Sequence, residues 1–287
     1  MTDGAIADPA GSLDSDGVEY NFVGSAVVAA LAGIALAWLA RSGALSLLVG
    51  VAAAQALVAF VYILGLRIPG RIGAIVIAAL ASAAADVTVS VWPHARLGTL
   101  LAVFGLAMPA LFVHQLFRGT ARVRVIESLG GVAILVLAEV SLPALMQLRH
   151  EFIGGNLGGD VTFGVIVVAA GALVVGFLVD LVFAAPRFDE DVPRGLIAVI
   201  GSTAIGAALG QLTLRSSSEF VNGRAVFVGA ALGAVVALFA VATALVEHGA
   251  RLAESGFARR GRPVIGVLLP MSLLAPVAFL LCLAVRA

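Results

Sequence analysis

The chain has 287 residues, 61% of them hydrophobic and only 12% charged, with a mean hydropathy of +1.12. Soluble domains carry about 25% charged residues, so a water-exposed surface could not be covered, and the composition excludes a soluble globule in favour of burial in lipid. The 17 basic residues, all Arg, balance 17 acidic ones, so no basic field points to nucleic acid, and the lone Cys282 makes neither an intrachain disulfide nor a thiolate cluster.

Residues 1–21 hold Asp3, Asp8, Asp14, Asp16 and Glu19 among Gly, Ser and Ala, with no basic residue. That pattern predicts an acidic, disordered tail, and the missing positive n-region argues against a signal peptide. From Phe22 the chain falls into apolar runs of hydrocarbon-spanning length: 22–40, 44–66, 72–92, 97–117, 128–147, 161–184, 195–214, 225–246 and 264–285. In lipid every backbone amide needs an internal partner, so runs of this length must be helices. The expectation is an all-α, polytopic protein of about nine spans, divided into a four-helix region over 22–127 and a five-helix region over 128–287.

Arginine placement predicts orientation. The side shared by the N-terminus and the loops after even-numbered spans holds eleven arginines, against six on the other. This puts the N-terminus in the cytoplasm and the C-terminus outside in a multi-pass cell-membrane protein. Gly206-xxx-Gly210 in the seventh span and Gly229-xxx-Gly233 in the eighth have the spacing that lets helix backbones approach closely in lipid. A homodimer seam is the rarer use of such pairs.

Three acids lie inside the predicted spans: Asp86, Glu139 and Asp180. Intramembrane acids are costly and mark ion or proton sites, polar pathways or headgroup pockets; the plainer alternative is a hydrogen-bonded acid locking two helices. His114 reads as an interfacial residue rather than a metal ligand. Motifs of soluble-enzyme chemistry are missing: no Walker A loop, H-E-x-x-H, G-x-S-x-G or Cys/His cluster occurs. Glycine-rich Gly154–Gly159 opens no basic helix and reads as a connector. Arg259-Arg260-Gly261-Arg262 reads as a topology anchor meeting anionic headgroups or, more sharply, as an edge that binds phosphate.

Leu252-Ala-Glu254-Ser255-Gly-Phe-Ala-Arg259-Arg260, followed by Gly266-Val-Leu268-Leu269-Pro270 and a final apolar helix, resembles the CDP-diacylglycerol synthases, or phosphatidate cytidylyltransferases. Gly176-Phe177 stands where that family has the G-Y of D-x-G-A-Y, and Val192-Pro193-Arg194-Gly195 resembles its S-P-K-K segment. The likeness covers residues 128–287 and implies a synthase-like helix bundle. The departures are larger than the matches: the family's Asp falls near Leu173, its Ser is Val192, its Glu is Ala198, and the G-H-G-G-x-x-D-R segment after Pro270 is absent. Cytidylyl transfer between two polyanions needs cations to neutralise charge and align attacker and leaving group.

The resemblance therefore implies a relative without the catalytic centre, with no catalytic residue, no resident metal and no cofactor. Magnesium enters only under the third reading, an active cytidylyltransferase with a rebuilt site. The leading expectation is binding of anionic lipid, or of a membrane-protein partner, through Pro193, Arg194, Glu254, Ser255, Arg259 and Arg260. The alternative is a transporter or flippase using Asp86, Glu139 and Asp180, which would favour inverted repeats and broken helices. No internal repeat is evident, and only Pro109, Pro143, Pro270 and Pro276 are placed to interrupt spans.

Overall fold

The structure is a computed structural model that describes residues 20–65, 71–92, 96–117, 125–152, 157–183, 185–188, 194–215, 220, 223–249 and 256–286. The acidic segment 1–19 lies outside the described residues. Ten helices follow in order: α1 Phe22–Ser42, α2 Ala44–Gly65, α3 Arg71–Val91, α4 Arg96–Phe117, α5 Val125–Ser141, α6 Ala144–Glu151, α7 Leu157–Val182, α8 Leu196–Thr213, α9 Arg224–Gly249 and α10 Gly256–Arg286. Among the described residues nine stretches are long and apolar enough to cross a bilayer, α5 and α6 together making one of them. The protein is an all-α integral membrane protein.

Pro143 divides the fifth crossing. Proline has no N–H, so the Glu139 carbonyl four residues earlier loses its helical partner. The last bond of α5 runs from Leu142 N to Ala138 O at 3.2 Å, and α6 restarts with Leu145 N to Leu142 O and Met146 N to Pro143 O. Pro109 and Pro270 and Pro276, by contrast, sit inside continuous helices. Neighbouring helices can re-satisfy the freed groups in a membrane protein.

Helix α10 and the α5–α6 pair are buried over most of their length, whereas less than a third of α3, α4 and α8 is buried. Large apolar side chains such as Leu31, Ile34, Trp38, Leu80, Leu106 and Leu212 point outward. Lipid tails solvate these as well as a protein core would, so association rests on close packing and interhelical polar contacts. Helix α1 packs along α7, and α10 touches α1, α2, α5 and α9. The two glycine pairs meet within the chain: a Cβ on Gly210 would stand 2.7 Å from the Gly229 Cα, and one on Gly206 3.0 Å from the Gly233 Cα. The expected close approach is the α8–α9 contact itself.

Alternate crossings divide the molecule into an N-terminal face, where α1 begins, and an opposite face. Cross-ties gather on the opposite face. Arg41 pairs with Asp160 at 3.3 Å and lies 4.0 Å over the Phe163 ring. Arg286 pairs with Glu151 at 3.8 Å and donates to its backbone carbonyl at 3.2 Å. Arg149 donates to the Ala40 carbonyl.

Candidate functional site

At the N-terminal face the chain between α7 and α8 folds back on itself. An isolated antiparallel bridge joins Arg187 and Gly195, with Phe188 N donating to Arg194 O and Leu196 N to Pro186 O. A Cβ on Gly195 would come 2.8 Å from the Pro186 carbonyl, so the turn needs glycine there. The fold-back turns Arg194 inward, where only 2% of it remains exposed. Its guanidinium lies 4.1 Å above the Phe177 ring, and Nη1 is 3.7 Å from Asp180 Oδ2. Asp180 Oδ1 accepts from Gly195 N at 2.9 Å, tying the acid to the same turn. Gly176 leaves the room: a Cβ there would meet Ser202 Oγ at 2.7 Å and approach Arg194 Nη1.

Four more side chains from separate elements complete the cluster: Tyr20 ahead of α1, Tyr62 near the end of α2, Glu247 near the end of α9 and Arg262 near the start of α10. Glu247 lies within electrostatic reach of Arg262 and, more weakly, of Arg194, and Tyr62 within reach of Glu247. Burial pushes the Tyr20 phenol above its ordinary range, and the charge and hydrogen bond of Arg194 pull against that shift. Tyr20 is therefore a neutral hydroxyl beside the guanidinium.

Buried polar atoms almost always have partners, yet several here have none among the described residues: Arg194 Nε and Nη2, Asp180 Oδ2, Tyr62 Oη, Glu247 Oε1 and Arg262 Nε. Nε and Nη2 form one edge of the guanidinium, the edge that grips two oxygens of a carboxylate or phosphate at once. Asp180 and the Phe177 ring hold the Nη1 side, so the free edge is oriented. Two arginines, two acids and two phenols make a set that can donate to an anion and also accept from hydroxyls or an ammonium beside it.

Compared with protein-family models, curated proteins and solved structures, the chain matches none.

Of the residues singled out from sequence, Arg194 and Asp180 come together in this cluster. Arg260 is exposed on the first turns of α10, and Arg259 belongs to the same turns. Pro193, Glu254 and Ser255 lie outside the described residues. Arg262 belongs to the Arg259–Arg262 edge read from sequence as phosphate-binding, whereas Tyr20, Tyr62 and Glu247 were not anticipated. One signal could have found Glu247: it borders an apolar run on the same face as Arg194.

A second polar group lies in the membrane interior, where Gln55 of α2 links Asp86 of α3 to the α5 backbone at Glu139. His114 lies apart, its ring covering Gly73. Among the described residues no set of three or more His, Cys, Asp and Glu could hold a metal ion.

Proposed function

We propose that this chain binds the phosphate of an anionic lipid headgroup at its N-terminal face, as a degenerate relative of the phosphatidate cytidylyltransferases that lacks their nucleotidyl-transfer chemistry. The observation that carries the reading is the Nε–Nη2 edge of a fully buried, oriented Arg194, which has no partner among the described residues. Arginine's planar fork matches two phosphate oxygens. Arg262 and the Tyr62 hydroxyl supply further donors around it, and Glu247 supplies an acceptor for a headgroup hydroxyl.

The resemblance to the synthases is supported by proximity: Gly176-Phe177 and Arg194-Gly195, which resemble two separate family segments, pack against each other. With its arginine majority, this face is the cytoplasmic one in the proposed orientation. The exposed Arg260 would then meet anionic headgroups at the membrane surface.

The test uses protein in phosphatidylcholine nanodiscs with and without phosphatidate, comparing melting temperatures. Phosphatidate is expected to stabilise the wild type, and Arg194→Lys, which keeps the charge but not the fork, is expected to lose that gain while retaining its helical circular dichroism. Equal gains in wild type and variant, or none in the wild type, would end the proposal. A parallel arm with inorganic phosphate separates a headgroup from a free anion.

A further inference from the structure

The interior polar group is built around the interruption at Pro143. The Glu139 carbonyl freed by that proline is taken by Gln55 Nε2 at 2.8 Å, and the same amide donates to Asp86 Oδ1 at 3.3 Å. A backbone carbonyl can only accept, so the atom facing it must be the amide nitrogen, and Gln55 Oε1 is left without a partner among the described residues. Gln55 is 3% exposed and Glu139 2% exposed, and Glu139 Oε1 is also unpartnered. Two buried acceptors thus lie in a group that contains two carboxyls.

Counting hydrogens decides what the group holds. Ser82 Oγ is 2.5 Å from Glu139 Oε2 and 3.0 Å from the Ala78 carbonyl oxygen. The hydroxyl has one hydrogen and cannot donate to both. Both contacts become hydrogen bonds only when Glu139 carries a proton on Oε2 and gives it to Ser82 Oγ, leaving the serine hydrogen for Ala78. Asp86, half-buried, accepts from Gln55 and is the carboxyl left to take a proton.

The surroundings offer no competing charge at this depth. Helix α2 contributes no ionisable group besides Tyr62 at the N-terminal face, and α3 none besides Asp86 and the terminal Arg71. On α4 the ionisable residues are Arg96 and His114 at its two ends, on α5 Glu127 lies in the first turn, three turns before Glu139, and on α6 they are Arg149, His150 and Glu151 at the opposite face. Helix α10 carries only the buried thiol Cys282 between Arg262 and Arg286.

We infer that Glu139 and Asp86 form a proton-binding pair in the membrane interior, with the exchangeable proton held between Glu139 Oε2 and Ser82 Oγ and Asp86 as the group that exchanges it. The transfer is a simple one: the Glu139 O–H bond breaks, Asp86 takes the proton, and the net charge of the pair is unchanged. Of the two carboxyls Asp86 is the more exposed, so exchange with the outside runs through it.

The test is infrared difference spectroscopy of the full chain in liposomes at neutral pH. A protonated-carboxyl band is expected that Glu139→Gln removes and that shifts on transfer to deuterated buffer; Asp86→Asn is expected to keep the band and slow that shift. Ser82→Ala, which removes the acceptor, moves the band toward the position of an unbonded acid and serves where Glu139→Gln fails to fold. A band that is missing at neutral pH, survives Glu139→Gln or ignores Ser82→Ala overturns the inference. So does a band abolished by sodium at constant pH, which would make the occupant a metal cation.

Discussion

Replacing Gly229 by Ala places one methyl where α8 and α9 touch backbone to backbone. The new Cβ would stand 2.7 Å from the Gly210 Cα and 3.0 Å from the Gly206 carbonyl carbon. Carbon atoms rest about 3.5–4.0 Å apart, so the helices must separate by about 1 Å, and a gap of that size forfeits roughly a quarter to a half of each contact along the seam. No flexible side chain can move aside, because the neighbours are main chain. Overpacking of this kind costs about 1–3 kcal/mol. Gly105 in α4 is the control: a Cβ there meets nothing within 4 Å. Replacing it by Ala should be neutral or stabilising by up to about 1 kcal/mol, the ordinary helical preference for Ala over Gly. Unfolding both variants in mixed micelles with increasing dodecyl sulfate gives the comparison. If Gly229→Ala and Gly105→Ala shift the midpoint in the same direction, the packing argument fails.

Gln55→Ala leaves the Glu139 carbonyl unpaired and should cost about 1–3 kcal/mol; adding Pro143→Ala, which returns a helical N–H, should recover part of it in the same assay. Asp160→Asn breaks an ion pair whose side chains are 58% and 37% exposed, so a loss above about 1 kcal/mol would contradict its surface character. In a Tyr62→Phe background Tyr20 is the one remaining tyrosine, and its ultraviolet titration should lie above the ordinary phenol range. Because its folded value is raised, stability is constant below the unfolded value of about 10 and falls as pH rises beyond it. Ionisation at or below the ordinary range would refute its burial beside Arg194.

The crossings were readable because hydrocarbon length is a property of sequence alone: the first predicted run, 22–40, is matched by α1 at Phe22–Ser42. The ends were less so, since hydropathy stops at the first charge and a helix need not. The eighth run was expected to end at residue 246, but α9 continues to Gly249 and so carries Glu247 into the cluster. Likewise α10 starts at Gly256, ahead of the expected 264, which puts Arg262 on a helix. Arg194 was visible as a phosphate candidate, but its orientation by Phe177 and Asp180 depends on a chain reversal that leaves no periodic signal. Pro143 was one of four prolines placed to interrupt a span; its neighbour in space, Gln55, lies on another helix and could not be paired with it from sequence.

Arg41, Arg149 and Arg286 bind one end of the bundle like the spine of a book. The ties run in series from α7 through α1 and α6 to α10, so helices from both ends of the chain are joined at that margin.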